Sequence, residues 1–147
     1  MKNIIIASDH AGFELKKHLV QHLKNTTENI IYDLGTNSAK SVDYPDYAQN
    51  LAVKMLDLED SLGILLCGSG LGISMAANRF SHIRAALCLN EEMAELARRH
   101  NNANVLVLGA RLLAEDHAIK IMESFFTQEF DANRHLKRVN KLSKLPA

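Results

Sequence analysis

At 147 residues and 16.4 kDa the chain has the length of one domain, 1–147, with room for a sizeable core and no need of disulfide staples. Its 17 Lys and Arg balance 17 Asp and Glu, which excludes an overall field drawing in nucleic acid or a membrane surface, so any anionic ligand must be held locally. Met1-Lys2-Asn3 runs into an apolar stretch without a signal-like leader, no apolar run approaches a membrane span, and Cys67 and Cys88 form no disulfide framework; the expectation is a cytoplasmic protein with free thiols.

Five apolar runs punctuate the chain: 3–8, 29–34, 62–67, 83–88 and 104–108. Between the first two, Phe13, Leu15, Leu19, Val20 and Leu23 recur at helical spacing. Tyr47, Leu51, Met55 and Leu58 mark a second helix, 71–78 a third, and Met93, Leu96 and Ala97 a fourth. After Gly109, residues 113–126 read as one more helix and 133–145 as a last, basic one stopped by Pro146. This alternation predicts an α/β fold: a doubly wound, Rossmann-like, five-stranded parallel sheet in the order 2-1-3-4-5, with helices on both faces.

The most chemically loaded segment is Cys67-Gly68-Ser69-Gly70-Leu71-Gly72, where the third run hands over to a helix. Its glycines permit positive φ and close approach of a ligand to backbone, and the free N–H groups of the following helix favour negative charge, including a thiolate at Cys67. No lysine follows as in a Walker loop, and Ile73 stands where a dinucleotide fingerprint needs glycine. In doubly wound sheets ligands sit beyond the carboxyl ends of the strands, where strand order reverses. That point lies between the first and third strands, so Ser8-Asp9-His10 should face the glycine loop.

Ser8-Asp9-His10-Ala11-Gly12-Phe13, Asp43-Tyr44-Pro45-Asp46-Tyr47-Ala48, Cys67 to Arg79, Arg99-His100-Asn101-Asn102-Ala103-Asn104, and Arg134-His135 with Arg138-Val139 together resemble the type B ribose-5-phosphate isomerases. The resemblance runs from the first strand to about Val139, in the family's order; that family also holds galactose-6-phosphate isomerase subunits and allose-6-phosphate isomerases. It implies the same doubly wound fold and aldose-ketose isomerisation of a sugar phosphate through an enediolate, without metal or organic cofactor.

A base for this chemistry must move a proton between neighbouring carbons, with a pKa near the working pH. The family carries either a cysteine before the glycine loop or a glutamate after it; Ile73 occupies the second position here, so the resemblance makes Cys67 the base. It also makes Ser69 the hydroxyl assisting at the sugar, with N–H groups of Gly68 to Gly72, Leu71 included, stabilising the developing oxyanion. The resemblance further implies that His100 opens the sugar ring, with Asp9 and Asn101 nearby, that Tyr44, held extended by Pro45, borders the substrate, and that His10, Arg111, Arg134 and Arg138 hold the phosphate.

His100 precedes the fifth strand and belongs at the amino edge of the sheet, whereas Cys67 ends a strand at the carboxyl edge, roughly 17–20 Å away for a strand of five or six residues. The expectation is therefore a homodimer, or a dimer of such dimers, whose active site takes His100 from a second subunit.

Competing readings are a hexose-6-phosphate (allose or galactose) isomerase and a non-catalytic sugar-phosphate or nucleotide sensor on the same fold; a sensor has no use for Cys67, Ser69 and His100 together. His18 and His22 have the i, i+4 spacing of helical metal ligands but lack the metalloprotease glutamate and a third ligand. Cys88, with no glycine loop after it, reads as a small core residue, and Lys137, Lys141 and Lys144 as a solvated basic face.

Overall fold

A computed structural model describes residues 1–144 of the chain. The order is β1 (Asn3–Ser8), α1 (Phe13–Thr26), β2 (Ile30–Asp33), α2 (Tyr44–Asp57), β3 (Leu62–Cys67), α3 (Leu71–Ala77), β4 (Ala85–Leu87), α4 (Glu91–Asn101), β5 (Val105–Gly109), α5 (Glu115–Phe126), a 3₁₀ turn (Asn133–His135) and α6 (Leu136–Leu142). All strands are parallel.

The sheet order is 2-1-3-5-4, not the expected 2-1-3-4-5. Burial explains the exchange. Val105 to Gly109 are all buried and fill an interior position, whereas β4 has three half-buried residues, two of them alanine, and suits an edge. The helices agree. Right-handed crossovers place α2 and α3 on one face as the chain moves from β2 to β3 and from β3 to β4, and α1 and α4 on the other as it steps back from β1 to β2 and from β4 to β5.

The cores follow this division. Leu15, Leu19 and Leu23 of α1, Ala94 and Ala97 of α4, and Ala118, Ile121, Met122 and Phe125 of α5 cover one face with Ile4, Ile6, Ile64 and Leu106. Ala48, Leu51, Ala52 and Met55 of α2 and Ile73 and Ala77 of α3 cover the other with Ile5, Leu65 and Val107.

α4 departs from expectation in the face it buries. Ala94, Ala97 and Arg98 turn inward, while Met93 and Leu96 are exposed. Alanines allow close approach to α5 and the sheet, so the bulkier pair rotates out beside Leu87 and Cys88. Asn90 caps this helix, its side chain accepting from the Met93 N–H at 2.8 Å, and Asn102 ends it in the left-handed conformation, φ 46°. The expected tail helix divides into the 3₁₀ turn and α6, so Arg134 and Arg138 belong to different elements; the stop at Pro146 lies outside the described residues.

Among the described residues no helix is long and apolar enough to cross a membrane.

Candidate active site

The switch point survives the change of strand order, because β1 and β3 remain neighbours. Beyond their carboxyl ends opens a cavity of about 450 Å³ lined by Asp9, Tyr44, Cys67, Gly68, Ser69, Gly72, Arg111 and Leu112. Parallel pairing delivers both loops to one place. β1 ends at Ser8, opposite Leu66, and β3 at Cys67, opposite Gly109.

Loop geometry is set by Gly70. It adopts φ 78°, and a Cβ there would stand 2.5 Å from Leu87 Cδ1 and 3.2 Å from the Gly109 nitrogen. That turn aims its N–H at Cys67 Sγ, 3.2 Å away, while the Leu71 N–H donates to Ser69 Oγ at 3.2 Å. With those two donors spent inside the loop, the N–H groups of Gly68, Ser69 and Gly72 have no acceptor among the described residues and are free for a ligand oxygen.

Asp9 Oδ1 accepts from the N–H groups of Ala11 and Gly12 at 2.9 and 3.2 Å, which fixes the carboxylate at the cavity wall. His10 accepts from the Val42 N–H through Nδ1 at 3.2 Å, leaving its proton on Nε2. Arg111 lies over the loop: a Cβ on Gly68 would meet its Nη1 at 2.9 Å, and its own N–H donates to the Gly68 carbonyl at 2.9 Å.

Tyr44 differs from expectation in its backbone. It is the first residue of α2, with Pro45 inside the first helical turn, where a missing N–H costs nothing. Its ring packs against Gly72, whose absent Cβ would meet it at 2.6 Å. Leu112, half of whose surface and more is exposed, is a cavity residue that no sequence signal singles out.

The remaining residues stand apart from this cavity. His100 and Asn101 close α4, at the opposite edge of the sheet. The His100 ring stacks on His135 with centroids 4.2 Å apart and planes at 13°. Desolvation, then the neighbouring His100, Arg134 and Arg138, hold the His135 pKa below its ordinary value. This side of the molecule therefore gathers two imidazoles and two guanidiniums. Leu71 is exposed at the start of α3 and Gly70 lies beneath the loop, neither on the cavity wall.

Other candidates have structural occupations. His18 and His22 pair with Glu115 and Glu123 at 3.3 and 2.8 Å, and among the described residues no cluster of three or more His, Cys, Asp or Glu is placed to hold a metal ion. Burial pushes the Cys88 thiol up to about 12, as befits a core residue.

Fold and site thus define a doubly wound α/β protein with a glycine loop of free N–H groups and a thiol at its switch point. Residues 4–142 match the model of the Ribose/Galactose Isomerase family, and the chain belongs to that family. It is 39% identical to the ribose-5-phosphate isomerase B of Escherichia coli K12 over 145 residues, 99% of this chain and 97% of that one. A crystal structure of a ribose 5-phosphate isomerase from Thermotoga maritima, 49% identical, superimposes with a TM-score of 0.94 over 98% of this chain and 99% of that one. The Mycoplasma genitalium ribose-5-phosphate isomerase B, solved with bound ribulose-5-phosphate, is 44% identical with a TM-score of 0.92, covering 97% of this chain and 94% of that one.

Proposed function

We propose that this chain interconverts ribose 5-phosphate and ribulose 5-phosphate through an enediolate, with Cys67 as the base. The observation that carries the reading is the Cys67 thiol at the wall of a sugar-sized cavity, receiving the Gly70 N–H and flanked by unspent loop donors and Arg111. The thiolate takes the proton from C2 of the open-chain aldose; the electron pair moves to the carbonyl oxygen, where the N–H groups of Gly68, Ser69 and Gly72 meet the developing charge. The proton on the C2 hydroxyl passes to O1, and return of the carbon-bound proton from Cys67 to C1, with the C2–O2 bond becoming the carbonyl, gives the ketose. Ser69 and Asp9 hold the sugar hydroxyls, and His10 and Arg111 reach toward the phosphate. The ribulose-5-phosphate complex of the Mycoplasma relative supports the choice of a pentose phosphate.

Ring opening falls to His100 of a second subunit, with Asn101, and the same subunit adds Arg134 and Arg138 to the phosphate. Support comes from the distribution of groups: the cavity with Cys67 contains no His100, Asn101, Arg134 or Arg138, which lie together at the other edge.

In heavy water, ribose 5-phosphate should yield ketose carrying deuterium, with allose and galactose 6-phosphates as comparison substrates. Cys67→Ala should abolish turnover and exchange; near-normal turnover would refute the assigned base. The shared site has its own test. Mixed and reassociated Cys67→Ala and His100→Asn proteins should recover about a quarter of wild-type activity, because half the dimers are mixed and each has one intact site. A site within one chain recovers none.

A further inference from the structure

A second, larger cavity of about 670 Å³ opens at the amino edge of the sheet, where Ser61, Arg84 and Asn104 lead into β3, β4 and β5 and Arg98 closes in from α4. Its wall carries two guanidiniums without a carboxylate partner. Arg98 is 8% exposed; its Nη1 donates to the Ala103 carbonyl and to Asn102 Oδ1, while its Nε has no partner. Arg84 spends only Nε, on the Asn102 carbonyl at 2.7 Å. No Asp or Glu oxygen lies within 4 Å of either among the described residues. Ser61, 6% exposed, has an unpartnered hydroxyl on the same wall.

Orphaned donors inside a protein are costly, and a buried cation without a counterion, as Arg98 is beside the half-buried Arg84, more so. Desolvation and the neighbouring Arg84 hold the Arg98 pKa down, against a weaker opposing pull from Glu129. Glu59, Asp60 and Glu129, which also line the cavity, are exposed and screened by water, so they offset this field less than an anion inside would. The wall is rigid: Asn104 accepts from the Arg84 N–H at 2.7 Å and donates to the His82 carbonyl at 2.8 Å. The volume is that of a small-molecule site, larger than a bare inorganic anion requires.

We propose that this cavity binds the phosphate group of a small phosphorylated metabolite, gripped by both Nη atoms of Arg84 and by Nη2 of Arg98. The site is separate from the catalytic cavity and does not depend on the activity proposed for that one.

Isothermal titration of the intact protein with inorganic phosphate at low ionic strength should find two phosphates per chain. Arg84→Gln should remove one and leave isomerase turnover within about twofold of wild type, whereas Arg111→Gln should remove the other. Should Arg84→Gln fail to fold, Arg84→Lys, which keeps the charge but loses the guanidinium fork, is expected to weaken the same site at least about threefold. One phosphate per chain, lost in Arg111→Gln and untouched by Arg84→Gln or Arg84→Lys, would overturn the proposal and leave the arginines as clamps on the Asn102 turn.

Discussion

Gly70→Ala tests whether the left-handed turn holds the glycine loop together. At φ 78° a Cβ costs about 1–2 kcal/mol in backbone strain. The new methyl also meets Leu87 Cδ1 at 2.5 Å, which half-buried Leu87 relieves by moving its tip, and Gly109 N and Leu108 C at 3.2 Å, which are backbone and yield little. Overpacking of this kind adds about 1–3 kcal/mol. The sum, about 2–5 kcal/mol, is a large share of the roughly 5–15 kcal/mol that stabilises a typical domain, and for a chain of this size it lowers the melting temperature by about 5–20 °C. Gly72→Ala is the control. Gly72 has no left-handed φ, so alanine gains about 1 kcal/mol of helix propensity. Its Cβ strikes the half-exposed Tyr44 ring, which swings aside. The expected split is a stability loss confined to Gly70→Ala and a turnover loss in both, read by urea denaturation and deuterium exchange. A Gly70→Ala protein as stable as wild type would refute the claim that positive φ at this position organises the loop.

Three further outcomes follow from groups elsewhere in the structure. Lys16 is 1% exposed and grips both Asp33 oxygens at 2.6 and 2.8 Å, so Lys16→Met should cost about 2–3 kcal/mol in urea unfolding, the low side of a broken buried pair because Asp33 is partly hydrated; adding Asp33→Asn should recover at least half, and simple additivity would count against the pairing. The folded-state pKa of His135 lies below its unfolded value of 6.5, so the unfolded chain binds the proton more readily and His135 subtracts stability as pH falls through 6.5; His135→Asn should flatten the urea midpoint in the window just below that pH, and an unchanged slope there would remove the assignment. Cys88, with its thiol pushed up to about 12 and 1% exposed, should resist iodoacetamide at pH 8 until the protein unfolds, while Cys67, 5% exposed on the cavity wall, is alkylated first, as peptide mapping would show.

The sequence carried the elements through simple periodicities, and β2, β1 and β3 kept their expected order while β4 and β5 exchanged places. Apolar runs reveal that strands exist, but their order depends on which run is buried on both faces, and 83–88 and 104–108 look alike until β4 shrinks to three residues. Helix α4 misled for a related reason. Met93 and Leu96 have the period of a core stripe, yet alanines on the adjacent face pack closer, and period alone cannot say which stripe wins. The switch-point loop was legible because glycine spacing, a thiol and a strand end coincide there. The amino-edge cavity was not, since Ser61 and Arg84 come from two separate connections and Arg98 from α4, and they share no motif.

Exchanging β4 and β5 matters more for the phosphate than for the base. With β5 beside β3, the Ala110 N–H donates to the Cys67 carbonyl and the Arg111 N–H to that of Gly68, both at 2.9 Å, so the first turn after β5 is tied to the glycine loop. An intervening strand would have moved Arg111 outward by about 4.8 Å, one interstrand spacing, and broken both bonds. The observed order thus builds one cation into the same cavity as the thiol and leaves Arg134 and Arg138 with the stacked imidazoles at the other edge. Under the proposed shared site a lone subunit offers the phosphate Arg111 and His10 alone. Dilution below the dimer dissociation constant should therefore raise KM and lower kcat together, and Arg134→Gln should reproduce the KM effect at any protein concentration.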